Sequence, residues 1–238
     1  MSHAPIQAPA ARRVAAITGG AGAIGGAIAS ALADAGHSIA ILDREAEFPV
    51  DLAVENDIRA AANAVLERMG RCDVLVHAAA AFDLATLDDL DCDTWRYVQA
   101  VNVESVLWLC QVLSPAMAQT GFGRVVIVIS DTVWSPPAAE LLPYVASKAA
   151  LIGVARCLAR SLGRHGITVN CVAPGLTRTP AAEAGMPPEA FEEVSSRQAM
   201  QRSLVPEDVA GAVAFLASDA AAAITGQTIC TDGGLILR

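Results

Sequence analysis

The stretch Val14–Ala29, VAAITGGAGAIGGAIA, constrains the fold more than any other part of the chain. Val14–Thr18 is a short apolar run that stops at Gly19 and Gly20, which reads as a buried strand entering a tight turn. Ala23–Ala35 then sets Ile24, Ile28 and Leu32 at i, i+4 and i+8, a helical period that Gly36 ends. A strand, a glycine-rich turn and a helix in succession form a cradle where backbone N–H groups and a helix N-terminus can meet a phosphate. A bare strand-to-helix connection uses the same pattern, so residues elsewhere must decide between the two.

The alternation continues. Ser38–Leu42 reads as a strand ending at Asp43, and Val54–Met69 as a helix with Ile58, Val65 and Leu66 on its apolar side. Asp73–Val76 is a predicted strand and Asp93–Gln119 one long helix. Arg124–Ser130 contains VVIVI, a β-branched run suited to a parallel strand buried on both faces. Pro143–Leu162 reads as a helix, Ile167–Val172 as a strand, Pro206–Ala217 as a helix and Thr228–Cys230 as a last strand. Such alternation predicts an α/β fold: a doubly wound parallel sheet covered on both faces. No repeat or linker divides the 238 residues, so one domain is expected over 14–238, after a mobile tail at 1–13. The least patterned stretch, Thr177–Val205 with Pro180, Gly185, Pro187 and Pro188, is expected to be a lid over the substrate. Only Arg44–Val50 separates Asp43 from Asp51, and parallel neighbours need a crossover of about a dozen residues. The helix between the second and third strands is therefore predicted to be absent, and the third strand a stub or missing.

Composition excludes several classes. The chain is 54% hydrophobic and 17% charged, which rules out disorder for its bulk. A net charge of -9 without a basic run makes a poor nucleic-acid binder. No stretch approaches about 18 uninterrupted apolar residues, so no membrane span is implied. The segment MSHAPIQAPAARR lacks the apolar core of a secretory signal. Cys72, Cys92, Cys110, Cys157, Cys171 and Cys230 are scattered and read as reduced thiols of a cytoplasmic protein. His3, His37, His77 and His165 stand at no metal-ligand spacing, so no metal is expected.

Two sets of residues carry chemistry. Asp43 ends the second strand about 20 residues after the glycines, where a carboxylate accepts from the ribose hydroxyls of a dinucleotide and repels a 2′-phosphate. This predicts NAD as cofactor, although Arg44 beside it could hold the phosphate of NADP. Tyr144 and Lys148, in YVASK, lie four apart on one helical face. An ammonium near a phenol lowers the phenol pKa, and a phenol so tuned can exchange a proton with a carbonyl or alcohol oxygen.

With these residues the chain resembles the short-chain dehydrogenase/reductase family over nearly all of Val14–Arg238. The matching features are Thr18–Gly19 with Gly25, Asn102 in VNV, Ser130 after VVIVI, Tyr144 with Lys148, APG at Ala173–Gly175, and FLASD…ITGQ…DGG toward the C-terminus. The resemblance implies a Rossmann-type sheet and hydride exchange between a nicotinamide ring and an alcohol carbon. It implies Tyr144 as acid/base, Lys148 as the group that lowers its pKa and holds the nicotinamide ribose, Ser130 as orienter of the substrate oxygen, and Asn102 as support for a proton-relay water. It further implies cofactor contacts at Gly19, Gly22, Ala23, Ile24, Asp43, Arg44, Asp51, Leu52, Ala78, Ala79, Ala80, Pro174, Gly175, Thr177 and Thr179, and a homotetramer.

The chain departs from the family pattern at several points. Ala23 stands where the family's turn has its middle glycine. His77-Ala78-Ala79-Ala80 replaces Asn-Asn-Ala-Gly, and His77 is expected to be structural. Ser130 lies fourteen residues before Tyr144, where thirteen is usual, which puts the extra residue in the loop Asp131–Pro143. That loop is expected to wall an apolar substrate pocket through Trp134 and Leu141, with Trp134 equally suited to be a packing anchor. The predicted substrate is a neutral, apolar or aromatic secondary alcohol or its ketone; the segment Gly175–Ala184 resembles the family's aryl-alcohol and pyridoxal dehydrogenases. An NADP-dependent carbonyl or 3-oxoacyl reductase is the alternative within enzymes. A nucleotide-binding regulatory protein that has lost the chemistry is the alternative outside them.

Overall fold

The computed structural model describes Arg12–Leu237; the tail predicted at 1–13 lies outside the described residues except for Arg12 and Arg13. Seven parallel strands form one sheet among the described residues: β1 (Val14–Thr18), β2 (Ser38–Asp43), β3 (Phe48–Pro49), β4 (Val74–His77), β5 (Gly123–Val128), β6 (Ile167–Pro174) and β7 (Thr228–Thr231). Their order is β3-β2-β1-β4-β5-β6-β7. The chain starts at the centre, winds outward to β3, then returns past β1 to wind the other way. The reversal between β1 and β4 opens a crevice at the carboxyl ends of these strands, where ligands of such sheets bind.

The strands form where the sequence is continuously apolar. Every residue of β1, β4, β5 and β6 is buried, which is the pattern of a sheet covered on both faces. On one face Ile17, Val76 and Val126 pack against Ile28 and Leu32 of α1 (Ala23–Asp34) and Val213 of α8 (Pro206–Ala217). On the other, Leu75, Val125 and Val169 pack against α2 (Glu55–Met69), α4 (Ser105–Thr120) and α5 (Leu142–Leu162). The lower end of the sheet is tied by Asp73, fully buried, which accepts from the Val14 amide at 2.8 Å and pairs with Arg71.

β3 is the expected stub. It pairs with β2 over two residues, with no helix between them. Phe48, Val50 and Leu52 turn inward instead, and Arg68 of α2 lies over the Phe48 ring at 4.4 Å. Three apolar side chains and one guanidinium thus close the sheet edge that a crossover helix would cover.

Two expectations gain detail. The long helix predicted at Asp93–Gln119 runs from Cys92 to Thr120, with α3 (Cys92–Gln99) and α4 flanking a π-helical turn at Ala100–Glu104. The stretch Thr177–Val205 holds α6 (Pro180–Gly185) and α7 (Pro188–Arg197). Both begin with proline, which fits a first turn where its missing N–H is no loss. Thr177 and Leu204 form a parallel bridge that closes the base of this segment.

Two helical stretches, Cys92–Thr120 and Leu142–His165, are long and apolar enough to cross a membrane by length and composition. Both lie against the sheet, where Leu109, Leu113, Leu151 and Ala155 are core residues.

The start of α1 sits unusually close to the glycine turn. A methyl group at Gly25 would lie 2.1 Å from the Gly19 carbonyl oxygen, whereas one at Gly26 would meet the Gly20 oxygen at 3.6 Å. Gly25→Ala should therefore destabilise the fold by about 1–3 kcal/mol, the range for overpacking, while Gly26→Ala should be neutral or slightly stabilising. Chemical denaturation of the two variants checks the contrast.

Candidate active site

The crevice above β1 and β4 is a cleft of about 550 Å³ lined by Gly19, Gly22, Asp43, Leu52, Ala79 and Tyr97 among others. Its floor is the glycine turn. Gly19 adopts φ +68°, and a Cβ there would lie 2.7 Å from the Ala79 backbone, so a side chain would both strain the turn and fill the cradle. Gly22 caps α1 without a side-chain hydrogen bond, and the first turn carries no acid. The first amides of α1 lack intrahelical acceptors, and the dipole favours a negative group there. Ala23 is the first helical residue and exposed.

One wall holds Asp43, whose Oδ2 accepts from the Ala21 amide at 3.2 Å and Oδ1 from the Arg44 amide at 2.8 Å. Asp51 and Leu52 follow from the shortened connection and line the same cleft. Ala78, Ala79 and Ala80 form the facing edge; Thr18 Oγ1 accepts from the Ala78 and Ala79 amides at 3.2 and 3.3 Å. A backbone cradle, an acid at the second strand's end and small residues opposite suit a dinucleotide: pyrophosphate at the turn, adenosine ribose at Asp43.

The reactive groups lie on α5 and just after β5. Burial pushes the half-buried Tyr144 phenol up to about 12, against the downward pull of its hydrogen bond with Ser130. The sequence leads one to expect that Lys148 brings this phenol down; in the fold burial outweighs any such effect. Lys148 is itself buried, which lowers its ammonium to about 8, and its Nζ donates to the Val128 carbonyl at 2.8 Å. Nζ stands 5.7 Å from the centre of the Tyr144 ring. Ser130 follows the end of β5 and accepts from Thr132 Oγ1 at 2.9 Å.

Asn102 sits fully buried in the π-helical turn. Its Oδ1 accepts from the Ala81 amide at 2.7 Å, and its Nδ2 donates to the Ala81 carbonyl at 3.0 Å and to Ser147 Oγ at 2.9 Å. Ser147 Oγ in turn donates to the Tyr144 carbonyl at 2.6 Å. Wide turns of this kind recur at functional sites. Here the turn aims one amide side chain at both the cleft wall and the helix of Tyr144.

Of the other predicted residues, Pro174 ends β6 and Gly175 follows it, and Thr177 is buried, donating to the Gly175 carbonyl at 2.9 Å. Thr179 caps α6, accepting from the Ala182 amide. Leu141 is buried and bridges Ala85, while Trp134 is half-buried against the core.

Three residues were not singled out from sequence. Phe82 is 59% exposed yet meets the Tyr144 ring edge-on at 4.7 Å. Its loop is held there by the Ala85 amide, which donates to the Glu140 carbonyl. Asp131 is buried beside Ser130, its carboxyl pushed up to about 6 by burial and then by the charge of Asp232. Tyr97 reaches the cleft from α3. Phe82 and Tyr97 arrive from separate segments that no local pattern marks, whereas Asp131 directly follows Ser130 in the chain.

A dinucleotide cradle at the switch point, linked through Asn102 to the helix that carries Tyr144 and Lys148, fits a nicotinamide-dependent oxidoreductase. The chain belongs to the short-chain dehydrogenase/reductase family. A family profile described as Enoyl-(Acyl carrier protein) reductase matches residues 19–236. The chain is 32% identical to D-threitol dehydrogenase of Mycolicibacterium smegmatis, over 95% of this chain and 94% of that protein. It is 34% identical to 4-formylbenzenesulfonate dehydrogenase of Comamonas testosteroni, over 94% and 97%. Among solved structures it is similar to the TT0495 protein of Thermus thermophilus, with TM-score 0.89, 34% identity and coverage of 94% and 98%. It is also similar to YwfH, an NADPH-dependent reductase involved in bacilysin biosynthesis, with TM-score 0.87, 27% identity and coverage of 95% and 99%.

His77 is fully buried, its Nε2 2.7 Å from Ser105 Oγ, and burial followed by the nearby Lys148 charge lowers its pKa to about 3. It stays neutral in the fold while the unfolded chain binds a proton below about pH 6.5. Stability conferred by the neutral form is lost as pH falls through that window. His77→Asn should flatten the dependence of unfolding free energy on pH by about one proton between about pH 4 and 6, as measured by denaturant titration across pH.

Proposed function

We propose that the protein interconverts a secondary alcohol and its ketone with NAD(H), using Tyr144 as acid/base. The observation that carries this reading is the placement of Tyr144, four residues from buried Lys148 and with its ring centre 5.7 Å from the Lys148 Nζ, on a helix tied by Asn102 to the backbone at the end of the cofactor wall. When bound, the nicotinamide gives or takes the hydride. The chain's residues do the rest. Ser130 and Tyr144 hold the substrate oxygen, and the Tyr144 hydroxyl supplies its proton in reduction or removes it in oxidation. A cationic Lys148 favours the phenolate against the burial that opposes it. Asn102 acts by position: it fixes the backbone on which Tyr144 stands.

Asp43 supports NAD, since its carboxylate faces the ribose position and repels a 2′-phosphate. Arg44 and similarity to an NADPH-dependent reductase favour NADP as the second reading. Phe82, exposed against the Tyr144 ring, supports an apolar or aromatic substrate, with the segment 177–205 as its lid. The 4-formylbenzenesulfonate dehydrogenase relationship points the same way, whereas the D-threitol relationship points to a polyol. The reading places one domain over 14–238 in the cytoplasm. By the family resemblance it makes the protein a homotetramer, with the half-buried Trp108, Val112, Val154 and Leu158 on α4 and α5 as the faces offered for contact.

A screen of aryl alcohols, polyols and ketones with both cofactors, followed at 340 nm, should give turnover with NAD(H) and an aromatic or apolar secondary alcohol. Tyr144→Phe should lower turnover by about 100- to 10,000-fold, the range for one acid/base group, and leave NAD binding nearly unchanged. Undiminished turnover in that variant would refute the mechanism.

A further inference from the structure

Arg44 and Tyr97 meet across the mouth of the adenosine end of the cleft. Arg44 follows Asp43 at the end of β2, Tyr97 projects from α3, and both line the cleft. The Arg44 Nη2 donates to the Tyr97 hydroxyl at 2.9 Å. This hydrogen bond, ahead of the charge of Asp51, raises the guanidinium pKa. Asp43 meanwhile uses its carboxylate on the amides of Ala21 and Arg44, which fixes it toward the glycine turn. The two side chains that could read the 2′ position are therefore held differently: the acid by backbone donors on its own wall, the base by a phenol on the opposite wall.

We infer that Tyr97 is a specificity-determining residue, which tethers Arg44 away from the ribose so that Asp43 alone reads the 2′ position. The inference rests on the proposed NAD preference and explains how an arginine next to the selecting acid coexists with it. A guanidinium has the geometry for a phosphate and binds one wherever it is free to swing. An exposed arginine on a long stem changes rotamer readily, so one hydrogen-bond acceptor on the opposite wall can decide its resting direction. Phenylalanine at position 97 keeps the ring and removes that acceptor. Arg44 is then free to meet a 2′-phosphate and to offset the repulsion from Asp43.

The test is a calorimetric titration of the intact protein with NAD⁺ and with NADP⁺, without substrate. It compares wild type, Tyr97→Phe, and Tyr97→Phe combined with Arg44→Ala. Tyr97→Phe should shift the ratio of affinities toward NADP⁺ by about five- to tenfold, and the double variant should lose that gain. An unchanged ratio in Tyr97→Phe, or a gain that survives removal of Arg44, would overturn the inference. Tighter binding of NADP⁺ than of NAD⁺ by the wild type would instead overturn the NAD reading. The wild-type ratio thus tests that reading, and the change in ratio tests the tether.

Discussion

The hydrogen bonds of Asn102 couple the two halves of this site. Its amide both donates to and accepts from the backbone of Ala81, at the end of the cofactor wall, and donates to Ser147, which holds the Tyr144 carbonyl. Buried amide groups without such partners cost about 1–3 kcal/mol each. Asn102 sits in the π-helical turn at Ala100–Glu104, and in the next residues Ser105 Oγ donates to the Val101 carbonyl at 2.6 Å. Substrate-side and cofactor-side geometry are thereby set by one residue that need not itself react.

The electrostatics of the site follow from burial. Tyr144 is raised, Lys148 lowered, and Asp131 raised toward neutrality, in each case chiefly because the protein withholds water from the charged form. These shifts bring an ammonium and a carboxyl closer to the pH range where they can change state, while the phenol moves away from it. Sequence spacing identifies the pair Tyr144 and Lys148 but not the sign of the net effect, which depends on how deeply the surrounding loops bury them.

What the sequence made legible was what chain length and residue pattern decide locally. The strands β1, β5 and β6 follow from apolar runs, and the missing helix before β3 follows from seven residues being too few for a crossover. The wider turn between α3 and α4 was not legible, because the helical pattern continues through Ala100–Glu104 and the turn shows only in the backbone hydrogen bonding. The helices α6 and α7 were hidden by their shortness, though Pro180 and Pro188 at their first positions were a usable signal. Phe82 and Tyr97 come to the site from a separate loop and helix, while Asp131 adjoins Ser130 in the chain. The proximity of the first two is a product of the packed fold, and no spacing in the chain encodes it directly.

The central claim is direct transfer between an alcohol carbon and a nicotinamide in this cleft. It is tested by oxidising a secondary alcohol carrying deuterium at the carbinol carbon and weighing the reduced cofactor by mass spectrometry. The account predicts NADH one mass unit heavier, with the label retained in deuterium-free water. Unlabelled NADH, with the deuterium released to solvent, would contradict it.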